Sequence, residues 1–100
     1  MSVKQIQLAK GLSISPIITG LWQVADMERS GKPLHINTAT AAMASYVEEG
    51  FSTFDMADHY GSSEVIAGNL RKRYPKPLTL FTKWVPPPGP VSRQDARMAV

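Results

Sequence analysis

Asp55, Asp58, His59 and Tyr60 fall within one stretch, Phe51-Ser-Thr-Phe-Asp-Met-Ala-Asp-His-Tyr-Gly-Ser-Ser-Glu64, and Lys83 ends the next apolar segment. Three of these residue types complement one another. A tyrosine hydroxyl delivers a proton near neutral pH only if its pKa falls from about 10. A lysine ammonium beside it favours the phenolate. A fall of three units asks for about 4 kcal/mol, which a partly buried cation can supply. The ammonium in turn needs a carboxylate if it is to stay charged away from water. Tyr60, Lys83 and Asp55 would together make a proton-delivery relay.

Each residue also has a plainer reading. Asp55 and Lys83 alone would be a structural ion pair at a strand end, and Tyr60 alone an ordinary rim aromatic. Asp55, Asp58 and His59 are metal-ligand types, but three within five residues of one loop converge poorly, so no metal site is assigned. Asp58 reads as a turn former or surface carboxylate, and His59 as a residue that at most hydrogen-bonds within the pocket.

These side chains need elements that bring them to one rim. Phe51 to Phe54 is β-branched and aromatic, as a short buried strand should be, and Asp55 stands at its exit. Leu78 to Thr82 is a further buried strand leading to Lys83 and Trp84. Ile17 to Trp22 reads as a continuous buried strand with Gly20 near its end. Before it, the alternations Val3–Leu8 and Leu12–Ser15 around Ala9-Lys-Gly11 predict a hairpin. Ala25 to Asn37 is a polar surface loop. Asn37 or Thr38 is placed to cap a helix over Ala39–Glu49, with Ala39, Ala42, Met43, Tyr46 and Val47 on one face and Gly50 as its stop. A second helix spans Ser63–Arg73, with Val65, Ile66, Asn69 and Leu70 on one side and Pro75 and Pro77 closing it. Val85 to Pro90 is a rigid loop, and Ser92 with Asp95 forms a capping box for a third helix. Strands alternating with helices predict an α/β fold with a parallel sheet and right-handed crossovers. Pattern alone leaves open whether it is doubly wound or a closed barrel. No G-x-G-x-x-G follows any strand, which argues against a dinucleotide-binding half of the Rossmann type.

The bulk composition narrows the function classes. One hundred residues, 43% hydrophobic and 19% charged, make at most one domain and exclude disorder over most of the chain. No apolar run approaches the roughly 20 residues of a spanning helix, the start lacks a signal-peptide core, and cysteine is absent. Together these point to a cytoplasmic protein with no membrane partner. The densest basic run, Arg71–Lys76, lies where cations complement a helix C-terminus, so nucleic acid is not an expected partner.

At this point the chain resembles the aldo-keto reductases. The resemblance rests on Phe54-Asp-Met-Ala-Asp-His-Tyr-Gly-Ser-Ser-Glu64, on Phe81-Thr-Lys-Trp84 and on Gly20-Leu-Trp-Gln23, with the preceding hairpin similar to the one that plugs the barrel floor. It implies an N-terminal β-hairpin plus the first three βα units of a TIM (β/α)8 barrel, an incomplete domain over residues 1–100. It also implies NADPH as cofactor and reduction of a small-molecule aldehyde or ketone to an alcohol. Carried over residue by residue, Tyr60 donates the proton, Lys83 tunes it and Asp55 anchors Lys83. Gly20, Leu21, Trp22 and Asp55 would lie near the cofactor, and Trp22, Trp84 and Tyr60 would wall the substrate pocket. The family's later catalytic histidine has no counterpart, since His35 and His59 lie elsewhere, and the segments that grip the adenosine phosphate are absent. The hundred residues alone are therefore expected to be inactive. The alternatives are a non-catalytic nucleotide-binding or regulatory subunit, or an inactive truncated product.

Overall fold

The computed structural model describes residues 3–22, 24, 35–74 and 77–99. The expected Ala25–Asn37 loop and Pro75 fall largely outside them. The first elements are β1 (Ile6–Ala9) and β2 (Leu12–Ile14), an antiparallel hairpin that turns at Gly11, whose φ of 78° suits glycine. Next come β3 (Thr19–Gly20), α1 (Ile36–Glu48), β4 (Thr53–Asp55), α2 (Ser63–Arg73), β5 (Thr79–Phe81) and α3 (Arg93–Ala99).

Strands β3, β4 and β5 form a parallel sheet in sequence order, with Gly20 beside Asp55 and Asp55 beside Phe81. Sequential order without reversal, combined with right-handed crossovers, puts successive helices on one face. The packing agrees. Ala39, Met43, Ala44 and Val47 of α1 share one core with Ile66, Ala67 and Leu70 of α2, and both sets meet Phe54. Because side chains alternate along a strand, Phe54 points into this helix-covered core while Asp55 belongs to the opposite face.

The hairpin closes one end of the sheet. The buried Ser15 backbone N–H donates to Thr53 Oγ1 at 2.8 Å, and the Thr79 hydroxyl donates to the Ser13 carbonyl at 3.3 Å. Thr53 and Thr79 are the first residues of β4 and β5, so β1 and β2 sit at the end where the strands begin. The strand exits are left to the chemically active residues.

Several expectations need correction. The strand predicted over Ile17–Trp22 pairs only at Thr19–Gly20, and Ile17 and Ile18 are exposed. Both β3 and β5 are outer strands with β4 as their hydrogen-bonded neighbour, and β3 pairs over the shorter run. Likewise β5 is half-buried, not buried. Helix α1 begins at Ile36, not Ala39, with His35 at the cap position and no side-chain cap. Asn37 is engaged elsewhere: its Oδ1 accepts a 2.6 Å bond from Arg73 at the end of α2. The buried stripe of α1 is Ala39, Thr40, Met43, Ala44 and Val47, while Ala42 and Tyr46 face out. On α2, Ser63 and Ala67 are buried in place of Val65 and Asn69.

Two polar clasps fix the helix ends. The Tyr74 hydroxyl donates to Glu48 at 3.0 Å, linking the far ends of α1 and α2, and that bond raises the Tyr74 pKa above its ordinary value. The capping box of α3 is complete. Ser92 N–H donates to the Asp95 carboxylate at 2.9 Å, Asp95 N–H donates to Ser92 Oγ at 3.1 Å, and the backbone bond chiefly holds Asp95 below the usual carboxylate range. Among the described residues no helix is long and apolar enough to cross a membrane.

Candidate active site

Parallel pairing delivers the strand exits to a common rim. Asp55 is the last residue of β4, and its carbonyl accepts the Leu21 N–H at 3.0 Å, just past the end of β3. On the other side, Met56 N–H donates to the Phe81 carbonyl at 2.8 Å and Asp58 N–H to the Lys83 carbonyl at 3.1 Å. Residues 20–22, 55–58 and 81–83 therefore run abreast, which brings the three rim segments named by the sequence together.

Lys83 is held at the centre. Its Nζ donates to the Met56 carbonyl at 2.8 Å and lies 3.2 and 3.3 Å from the two Asp55 carboxylate oxygens. The Asp55 and Lys83 side chains are 45% and 46% exposed, a setting in which an ion pair contributes only about 0.2–1 kcal/mol to stability. Stability alone is thus a weak reason for the pair, and its exposure departs from the partly buried cation expected. The same Nζ stands 5.2 Å from the centre of the Tyr60 ring, within cation–π range.

Tyr60 is positioned by the turn between β4 and α2. Its N–H donates to the Ala57 carbonyl, its carbonyl accepts from Ser63 N–H, and the buried Ser63 hydroxyl reaches the Ala57 carbonyl at 3.2 Å. Those bonds hold the loop closed and turn the half-buried phenol back over the rim. There it meets Trp22 edge to face at 4.9 Å and His59 at 4.9 Å, while Trp22 and His59 are 6.3 Å apart. Edge-to-face aromatic pairs of this kind are worth about 0.5–1.5 kcal/mol beyond their buried area.

The remaining predicted residues separate. Gly20 lies at the end of β3 with an exposed backbone, and a Cβ built there would meet nothing within 4 Å. The fold itself thus places no steric demand for glycine at that position. Leu21 departs from expectation: the residue is 1% exposed and belongs to the core, with its N–H bonded to the Asp55 carbonyl. Trp84 lies beyond Lys83 and lines a cavity of about 340 Å³ with Asp58, Glu64, Thr82, Lys83 and Ala99. It also borders a larger cavity of about 570 Å³ under the proline loop, which includes none of Asp55, Tyr60 and Lys83. Trp22 and Trp84 therefore line different parts of the surface.

The Met56 carbonyl as a partner of Lys83 escaped the reading of the residues. His59, expected at most to hydrogen-bond within the pocket, joins the ring cluster, and Asp58, expected as a turn former or surface carboxylate, bonds across to the next segment. The Asp58 carboxylate accepts the Val85 N–H at 3.3 and 3.2 Å through its two oxygens and lies 3.4 Å from His59 Nδ1. A short acceptor side chain just after a strand exit was the available signal. Among the described residues no group of three or more His, Asp or Glu side chains is placed to hold a metal ion.

Comparison with curated proteins and with solved structures returns no match. Comparison with family models does: residues 16–100, which include every rim residue described above, match the aldo/keto reductase family. The chain thus belongs to the aldo/keto reductase family, a group of oxidoreductases that act on small carbonyl compounds and generally use NAD(P)H.

Proposed function

We propose that this rim carries out NADPH-dependent reduction of an aldehyde or ketone, with Tyr60 as proton donor, Lys83 tuning it and Asp55 anchoring Lys83. The observation that carries the reading is the place of Lys83 Nζ, between the Asp55 carboxylate and the Tyr60 ring. When the carbonyl oxygen gains negative charge, Tyr60 gives it a proton. The ammonium beside the ring then stabilises the charge left on the phenol, and the Asp55 carboxylate and Met56 carbonyl keep the ammonium in place. Trp22, packed on the Tyr60 ring, forms one wall of the substrate pocket, while Trp84 stands apart from it beside Lys83.

A nicotinamide cofactor fits the residues present. The exposed backbone at Gly20, where even a methyl group would meet no protein atom, would allow a cofactor to approach closely at the rim, with Asp55 on the neighbouring strand. Bound there, the cofactor supplies the hydride. The protein orients the carbonyl, shields it from water and moves the proton.

In this reading the three βα units are the first of a (β/α)8 barrel, with the hairpin at its floor, and the protein works in the cytoplasm. The roughly half-exposed Asp55 and Lys83 become sheltered only when further strands close the sheet. NADPH added to the complete protein should quench tryptophan fluorescence, and the same protein should oxidise NADPH when given an aldehyde. Quench without turnover would favour a nucleotide-binding regulatory role, and neither response would overturn the proposal.

Gly20 offers a second check. Gly20→Ala should leave thermal stability unchanged or slightly raised, since nothing lies within 4 Å and the glycine's φ is not positive. NADPH affinity in the complete protein should nevertheless fall at least about tenfold, because the methyl occupies space the cofactor needs. Unchanged affinity would remove Gly20 from the cofactor site.

A further inference from the structure

Lys83 reaches the rim from a segment beyond the end of β5, where the regular ladder has stopped. Met56 N–H to the Phe81 carbonyl and Asp58 N–H to the Lys83 carbonyl continue the parallel pattern past both strands. In such a ladder the next rung would run from Val85 N–H to the Asp58 backbone carbonyl. Here the Asp58 carboxylate accepts Val85 N–H instead, at 3.3 and 3.2 Å. A side chain has replaced the backbone acceptor.

The replacement has a geometric consequence. With its backbone carbonyl released from the ladder, residue 58 is free to turn the chain toward Tyr60, while the Lys83–Val85 segment runs on, still fastened. The carboxylate also lies 3.4 Å from His59 Nδ1, and His59 packs on the Tyr60 ring at 4.9 Å. Asp58 therefore holds both the loop that carries Tyr60 and the segment that carries Lys83. Only a short side chain with a planar acceptor can span this gap, so Asn can serve and Ala cannot.

We propose that Asp58 is a positioning residue that fixes the Tyr60–Lys83 spacing by standing in for a missing rung of the sheet. The inference rests on the reductase reading above, and the experiment separates the two. Asp58→Ala, Asp58→Asn and Tyr60→Phe are compared in the complete protein by carbonyl reduction and by amide hydrogen exchange at Val85.

Asp58→Ala should expose the Val85 amide to exchange and lower kcat on the order of a hundredfold, as misplacement of a reacting group by about 1 Å does. KM for the cofactor should stay within about twofold of the parent's, because the interaction lost acts only in the reaction step. Asp58→Asn should keep Val85 protected and restore most of kcat, which a general loss of folding would not do. If Val85 stays equally protected in Asp58→Ala, the clamp is overturned. It is also overturned if Asp58→Ala reduces carbonyls at the parent's rate while Tyr60→Phe does not. If Tyr60→Phe itself keeps full activity, the reductase reading fails, and Asp58 loses its positioning role with it.

Discussion

Tyr60→Phe should lower carbonyl reduction by about 10²–10⁴-fold in the complete protein, the range that a positioned general acid contributes. The substitution removes one oxygen and leaves the ring, so the edge contacts to Trp22 and His59 remain. The cation beneath the ring also stays, because a phenylalanine face attracts an ammonium as well. Folding and NADPH binding should change little. The loss should fall on kcat and on kcat/KM for the carbonyl alike, the pattern of an interaction made only in the transition state. Steady-state kinetics with a fluorescence titration of NADPH reads both quantities. A tenfold weaker cofactor affinity with undiminished kcat would assign Tyr60 a binding role instead.

Phe54→Ala should be the most damaging single change to the fold. Phe54 is 0% exposed, sits mid-strand in β4, and meets the core residues of both α1 and α2. Phenylalanine-to-alanine changes in cores cost about 3–5 kcal/mol. A small domain has only about 5–15 kcal/mol in total, so most or all of the stability would go. The chemistry would go too, since Asp55 is the next residue and its place on the rim depends on the pairing of β4. Urea unfolding followed by circular dichroism measures the loss. A cost under about 1 kcal/mol would mean that the helices are held to the sheet by something other than this ring.

What could be read from the sequence, and what could not, follows from where the information lies. The Asp55–Tyr60 segment was legible because an apolar strand running directly into titratable residues has few purposes. Helix α2 spans Ser63–Arg73 as expected, since the helix start after Gly61 and the basic last turn mark its bounds locally. The Ser92–Asp95 box was legible for the same reason. Properties that depend on distant partners were not. Where β3 pairs is set by β4, far along the chain, and Ile17 and Ile18 carry no mark of that. Asn37 looked like a cap, but Arg73, far away in sequence, took its oxygen. The rotation of α1, which buries Thr40 and Ala44 in place of Ala42 and Tyr46, is decided where it meets α2 and the sheet. Leu21 was placed on the rim by its neighbours, yet its side chain follows the strand's alternation into the core. Asp58 depends on the register between residues 58 and 85, which exists only once β4 and β5 have paired.

The direct test of the relay is a double-mutant cycle on Tyr60 and Lys83, with carbonyl reduction by the complete protein as the readout. If the ammonium acts through the phenol, Lys83→Met in a Tyr60→Phe background should cost less than about twofold, although Lys83→Met alone costs a hundredfold or so. If the two losses multiply in full, the residues act independently, and no proton path through Tyr60 depends on Lys83.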